Sequence, residues 1–394
     1  MKKTADVTRK ILIVCNDHIG ATMAGPGIRA WELAHALERR GHAVVVLARG
    51  VEIGFTSDRI TFTGVSSFFN LITWTHYADS VIQTGRPFSI LFSILLRKQL
   101  VFDQYDPVIF ELLEMKTDSW SKLIWKQGMA LLWKIRQRLI LRFGDRFLVA
   151  NEKQRDLLIG QMAILGHSNK LELVSVLPFG LPDVQPMKNR SVLRGTMIKE
   201  TDFLIVWGGG IWGWFDPFTL LLALAKIAAV RDDIKVYFPG IQPPSPDSKK
   251  MAIFGRFLDE ARNLKLLDTT VFVNTGWTPY AQRADYLLEA DAGVSLHRDS
   301  LETRFAFRTR MLDYLWAGLP IIASKGDSWA DFIEQRGLGI IVPCGDADLL
   351  AQAIIRMADE DNLRSSCSER VAAAADEYRW DFLVERLMLQ KKYL

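Results

Sequence analysis

Short β-branched runs alternate with longer amphipathic segments nearly from end to end, and the alternation runs through two series. That is the pattern of parallel strands joined by crossover helices, so the fold class is α/β. In the first series the strand candidates are ILIVC (11–15), AVVVLA (43–48), PVIFE (107–111), RFLVA (146–150) and ELVSV (172–176). Pro178, Pro182 and Pro186 then exclude a continuous helix. The second series comprises FLIVW (203–207), IKVYF (234–238), TVFV (270–273), GVSL (293–296), PIIAS (320–324) and GIIV (339–342). The expectation is two doubly wound, Rossmann-like domains facing a cleft, at 1–185 and 186–377, with a terminal helix at 378–394 packing back on the first. A chain of 394 residues is long enough for two such cores. Ligands of open α/β sheets bind beyond the carboxyl ends of the strands, which is where motifs are sought.

Several classes are excluded early. The 49 Lys and Arg oppose 45 Asp and Glu, and a net charge of +4 is too even for the whole chain to pair with nucleic acid. Cys15, Cys344 and Cys367 are far apart and without CxxC spacing, so neither a disulfide framework nor a zinc site is expected, and a reducing cytoplasm fits. The apolar run Ile11 to Cys15 is too short for a signal-peptide core, and Phe88 to Leu96 falls far short of the roughly 20 residues that span a bilayer.

Three segments carry candidate chemistry. After the first strand, Gly25, Pro26 and Gly27 open the helix AGPGIRAWELAHALERRGH, where glycines permit close backbone approach and N–H groups face a ligand. After the first strand of the second series, Gly208, Gly209 and Gly210 form a stronger backbone cradle, with Trp207, Trp212 and Trp214 available for stacking or for packing. Asp216 before Pro217 reads as an N-cap and first-turn pair, which argues against phosphate on the helix that follows. The densest block is GVSLHRDSLETRFAFRTRMLDYLWAGLPIIAS: Arg304, Arg308 and Arg310 precede the helix 311–316, a plausible diphosphate site or else an ion-pair network with Glu302, Asp299 and Asp313. His297 follows the strand directly, as a site residue or a hydrogen-bonded structural one; Asp313 suits ribose hydroxyls or a salt bridge to Arg310.

The two-series organisation, the AGPGIRAWELAHALERRGH helix and the FRTRMLDYLWAGLPIIAS block resemble GT-B glycosyltransferases, especially the retaining family four group. The resemblance implies transfer of a sugar from a nucleoside-diphosphate sugar to an acceptor hydroxyl in glycan or glycolipid synthesis. It implies no metal or other cofactor, and the chain shows no DxD motif suited to that role. It places the acceptor at the Gly25 loop and the donor on Gly208–Gly210, Trp212 and Glu302, with Asp313, seven positions before Pro320, on the ribose. His297, Arg308 and Arg310 are the catalytic candidates. This chain has Phe305 where the family often has a glutamate, with Glu302 displaced by three, and lacks the usual basic residues after the second glycine loop. Arg308 and Arg310 are the replacement cations. A nucleotide-sugar epimerase of the same fold and a catalytically silent sugar-nucleotide-binding scaffold are the competing readings.

From Lys116 to Arg142, seven bases oppose one acid, Asp118, and three tryptophans interleave with them. This composition fits a helix lying on an anionic membrane surface, or a core helix with a solvated face. The first alternative makes the protein peripheral on the cytoplasmic face.

Overall fold

The computed structural model describes residues 8–52, 57, 59–64, 68–114, 119–242 and 253–389. The chain forms two compact units: unit 1 is Met1–Gly180 with Trp380–Leu394, and unit 2 is Leu181–Arg379. Residues 390–394 of the expected terminal helix lie outside the described residues.

Unit 1 is built on a parallel sheet of β1 (Lys10–Val14), β2 (Ala43–Ala48), β3 (Ile60–Gly64), β4 (Ser80–Gln83), β5 (Gln99–Asp103), β6 (Arg146–Val149) and β7 (Val174–Val176). Their order across the sheet is β3-β2-β1-β4-β5-β6-β7. Lys10 pairs with Ala43 and Val14 with Leu47, while on the other side Ile11 pairs with Ser80 and Val14 with Gln83. Helices cover a parallel sheet on both faces, which is why its strands read as unbroken apolar runs. Leu12, Val14, Val45, Leu47, Phe102 and Phe147 share one core.

One expected strand is a helix. Residues Val108–Glu114 are helical, and the strand is the preceding QLVFD. Pro107 suits a first helical turn, and its carbonyl accepts the Phe110 N–H at 2.8 Å. The sequence reading also missed β3 and β4.

Unit 2 repeats the plan with β8 (Phe203–Val206), β9 (Ile234–Phe238), β10 (Val271–Val273), β11 (Ala292–Ser295), β12 (Ile321–Ser324) and β13 (Gly339–Val342), ordered β10-β9-β8-β11-β12-β13. In both sheets the strand order reverses beside the first strand, the topological switch point at which such sheets take ligands.

The chain enters and leaves unit 2 side by side, with the Leu181 N–H donating to the Tyr378 carbonyl at 2.7 Å. The incoming segment is pinned by Glu289, whose carboxylate accepts the N–H groups of Val192, Leu193 and Arg194; these bonds outweigh burial and hold its pKa below the usual range. Within unit 1, the helix Trp380–Leu389 returns to the helix Gly25–Arg39, where Asp381 pairs with Arg39.

Candidate active site

In unit 2 the glycine loop leaves β8 directly. The Gly208 N–H donates to the Tyr314 hydroxyl at 2.8 Å, and that hydroxyl lies 2.7 Å from the Val294 carbonyl and 3.1 Å from that of Val206. Tyr314 therefore clamps the carboxyl ends of β8 and β11 together. A Cβ at Gly293 would sit 2.5 Å from the Tyr314 ring, so only glycine admits that ring over β11. Gly209 adopts φ +74°, which glycine reaches without strain. Among the described residues the N–H groups of Gly209 and Gly210 donate to nothing.

The helix Arg310–Ala317 follows the arginine cluster and ends at Gly318, which has φ +68°. Arg310 is its first residue, 6% exposed. Its guanidinium lies 3.8 Å from the Phe215 ring centroid and 4.6 Å from that of Trp207, and Nη2 donates to the Gly210 carbonyl at 2.9 Å. Nη1 is buried with no partner among the described residues. Burial lowers the Arg310 pKa to about 10, so the group stays charged at neutral pH. A desolvated cation with a free N–H beside unsatisfied backbone donors is the environment an oxyanion completes.

Arg308 is placed differently. It donates bidentately to Glu302 at 2.8 and 2.7 Å and to the Thr303 hydroxyl at 3.1 Å, and both ionised side chains are buried. The ion-pair alternative holds for this pair, and Glu302 carries no free carboxylate oxygen toward the loop.

Asp313 pairs with Arg283 at 3.1 Å, not with Arg310. Burial raises its carboxyl pKa, opposed by Arg283, yet about 30% of its side chain remains exposed and can meet a ligand. Arg283 stacks on Tyr280 at 3.6 Å and Trp316 at 4.2 Å. His297 is 0% exposed. Burial, then Arg308, push its pKa down to about 3, so the imidazole is neutral at pH 7. Its ring nitrogens make no well-formed hydrogen bond among the described residues, although the Lys325 backbone acts against the shift.

Trp212 and Trp214 stack on each other, centroids 5.4 Å apart and planes 4° off parallel, both partly exposed. Asp216 caps the next helix as expected, accepting the Thr219 N–H and hydroxyl. Sequence reasoning missed Tyr314 and Arg283, for a tyrosine on an apolar helix face and an arginine in RADYL carry no spacing signal. Among the described residues no cluster of three or more His, Cys, Asp or Glu is close enough to hold a metal ion.

In unit 1 the loop Gly25, Pro26, Gly27 forms the first turn of its helix, and a Cβ at Gly27 would lie 2.5 Å from the His18 carbonyl oxygen. Two turns of chemistry lie beside it. Arg29 is held at 2.7 and 2.8 Å by Asp103 and at 2.9 and 3.0 Å by the carbonyls of Pro178 and Leu177. Cys15, whose thiol burial pushes up to about 12, and Gln83 line a small cavity there.

The helix Trp120–Phe143 has only Gln137, Ile140 and Leu141 buried among its described residues. Leu131, Leu132, Ile135 and Leu139, candidates for a core or a lipid face, are exposed, and Trp120 is 81% exposed. Neighbouring helices Phe68–Tyr77 and Pro87–Leu95 add exposed Phe68, Phe69, Phe88, Leu91 and Leu95. Lys116 and Asp118 lie outside the described residues. No described helix is long and apolar enough to cross a membrane.

Residues 209–360 match the family of glycosyl transferases group 1. The chain is 24% identical over 169 residues to a phosphatidyl-myo-inositol mannosyltransferase of Mycolicibacterium smegmatis, covering 43% of this chain and 39% of that protein. A protein of the same name from Mycobacterium leprae is 28% identical over 83 residues, 21% of this chain and 22% of that one. The chain thus aligns with well under half the length of these curated relatives. Among solved structures, Anabaena HepE in complex with UDP and glucose superposes with TM-score 0.70 at 13% identity, covering 98% of this chain and 100% of that one. WaaG, a glycosyltransferase involved in lipopolysaccharide biosynthesis, does so with TM-score 0.68 at 17% identity, covering 95% and 98%. Residues 209–360 therefore form a domain of the glycosyl transferases group 1, within a chain that has the GT-B fold.

Proposed function

We propose that the protein transfers a sugar from a nucleoside-diphosphate sugar to an acceptor hydroxyl, with retention of anomeric configuration and no resident metal ion. The observation that carries this reading is Arg310, buried, charged and with Nη1 unpartnered beside the idle N–H groups of Gly209 and Gly210. These groups hold the diphosphate and stabilise the charge that grows on it as the anomeric carbon–oxygen bond breaks. Asp313 accepts from the ribose hydroxyls. The departing phosphate takes the acceptor proton as the new glycosidic bond forms, so no protein nucleophile is needed. Arg308, neutralised by Glu302, shapes the wall behind Phe215, over whose ring its guanidinium lies at 5.0 Å.

HepE complexes with UDP make UDP the first probe. Thermal shift against UDP, GDP, dTDP and CDP should give one selective stabilisation. Donor hydrolysis in the absence of acceptor should follow; a protein that binds no nucleotide, or binds and never cleaves the donor, contradicts transfer. An epimerase would interconvert the donor sugar without acceptor, which product analysis detects.

The acceptor side is membrane-bound. Six bases and no acid lie between Trp120 and Phe143, on the helix that exposes Trp120, Ile124, Trp125 and Leu132. An exposed apolar face with interspersed cations matches an anionic lipid surface, each base contributing about 1 kcal/mol near it. Vesicle sedimentation should show binding that rises with phosphatidylglycerol content and falls with salt. A variant with Lys122, Lys126, Lys134 and Arg138 changed to Gln should stay in the supernatant. Indifference of the native protein to every vesicle composition overturns the membrane reading alone.

A further inference from the structure

Unit 2 contains two arginine–carboxylate pairs near the glycine loop, and they are built differently. Arg308 meets Glu302 through two bonds, at 2.8 and 2.7 Å, with both side chains buried, so that pair is closed. Arg283 donates from Nε to Asp313 Oδ1 at 3.1 Å. Asp313 Oδ2 accepts no hydrogen bond among the described residues, and about 30% of that side chain is exposed. One oxygen is held and the other is left to a ligand.

The arginine that holds it is itself fixed. Its Nη1 donates to the Tyr280 carbonyl at 2.7 Å, and its guanidinium lies 3.6 Å from the Tyr280 ring and 4.2 Å from that of Trp316. Trp316 is anchored in turn, its Nε1 donating to the Val184 carbonyl at 2.8 Å. Arg283 opens the helix Arg283–Leu287, whose Asp285 accepts the Asn189 N–H at 2.7 Å. A partly exposed aspartate would otherwise rotate among several side-chain states, and a stacked, planar guanidinium selects one of them.

Charge points the same way. Burial raises the Asp313 pKa, and Arg283, then Arg310, oppose it. Tyr286 and Tyr314 also act on this carboxylate, and burial raises their own pKa values, so both are neutral at pH 7. A diphosphate bound at Arg310 takes up that cation and adds negative charge, which leaves Arg283 to keep Asp313 ionised. An ionised, oriented carboxylate accepts from the ribose hydroxyls, the 2′-OH included. We propose that Arg283 is a positioning residue for the donor, fixing Asp313 so that the site selects a ribonucleoside diphosphate over its 2′-deoxy form. This deepens the donor reading of Asp313 given above and rests on it.

The test is calorimetric titration of the full chain with UDP, dUDP and inorganic pyrophosphate at pH 8, 7 and 6; if thermal shift selects GDP or CDP, that nucleotide and its deoxy form replace the first two. The native protein should prefer the ribose form by about fivefold, one hydrogen bond to a charged acceptor. Arg283→Met should weaken UDP about threefold at pH 8, abolish the preference over dUDP and leave pyrophosphate unchanged. The loss relative to native should grow as pH falls, because without Arg283 the carboxyl takes up its proton at higher pH. Comparing variant with native at one pH cancels the titration of the diphosphate itself. Arg283→Lys keeps the charge without the planar fork, so it should restore the native pH profile but only part of the preference. On an Asp313→Asn background, Arg283→Met should change UDP affinity no further.

Melting temperatures are measured on the same samples. If Arg283→Met melts early, Arg283→Lys and Tyr280→Leu, which removes one ring from the guanidinium, decide the matter through the ratio of UDP to dUDP affinity. Equal losses for all three ligands, a variant-to-native ratio that is flat in pH, independent losses in the double variant, or selection of dTDP in the thermal shift would each overturn the positioning role. With any of these, a native protein that binds a nucleoside diphosphate leaves the glycosyltransferase reading standing. A native protein that binds none of the four removes both.

Discussion

Each unit buries an arginine on a helix that follows one of its sheet strands, and the two arginines are satisfied to opposite degrees. Arg29 in unit 1 has four hydrogen bonds, two of them to Asp103, inside a ring of Tyr105, Phe179 and Trp380. Arg310 in unit 2 has comparable aromatic walls from Phe215 and Trp207 but only the Gly210 carbonyl as a partner, and Nη1 is idle. Burial and aromatic contact therefore do not mark a ligand site. What sets Arg310 apart is an unmet guanidinium N–H next to the idle N–H groups of Gly209 and Gly210, a cost that a folded chain tolerates where something else completes the bonds.

The comparison breaks most visibly at Asp103. Asp103→Ala leaves Arg29 charged, buried and short of its carboxylate, and should cost about 3–5 kcal/mol in urea unfolding. Nucleotide affinity of the protein that remains folded should be unchanged. If stability is unaffected, Arg29 is not the strut described.

Acid probes the other side. The folded His297 pKa of about 3 lies below the ordinary imidazole value of 6.5, so between those values the unfolded chain binds a proton that the folded chain refuses. The contribution is complete above pH 6.5 and declines as pH falls toward 3, by about 1.4 kcal/mol per unit. Unfolding curves at pH 7, 5.5 and 4.5 should show this slope, and His297→Leu should flatten it. An identical slope in the variant assigns the acid sensitivity elsewhere.

Arg310→Met should weaken nucleoside-diphosphate binding by about 1.5–3 kcal/mol in calorimetry. Its stability should change far less than that of Asp103→Ala, since one carbonyl bond is lost and no carboxylate is stranded. Equal damage to stability and binding would erase the distinction between the two arginines. The smallest effect is expected at Asp313→Asn, about 1 kcal/mol on nucleoside affinity with inorganic pyrophosphate unaffected; parallel losses for both ligands would exclude a ribose contact.

Much of the architecture was legible because buried parallel strands must be written in β-branched residues: AVVVLA and IKVYF coincide with β2 and β9. ITFTG and SVIQ were missed because they are short and carry polar residues, and PVIFE misled because an apolar run of five does not distinguish a strand from a short helix. At the site, the glycine loop and the arginines were visible as residue types after strands. Their division of labour was not, because Arg308 is taken up by Glu302 while Arg310 meets only the Gly210 carbonyl, and pairing across a fold leaves no trace in local spacing. Tyr314 was hidden for the same reason.

Unit 1 is discontinuous, with Trp380 packed over Gly180 so closely that a Cβ there would lie 2.7 Å from its ring. A ribosome therefore delivers all of unit 2 before it delivers the helix that completes unit 1. For the time needed to synthesise roughly two hundred residues, at about 5–20 residues per second, the aromatic wall around Arg29 lacks one side. The half made first is thus the half that matures last, and nascent unit 1 is the stage at which this chain most needs protection from aggregation.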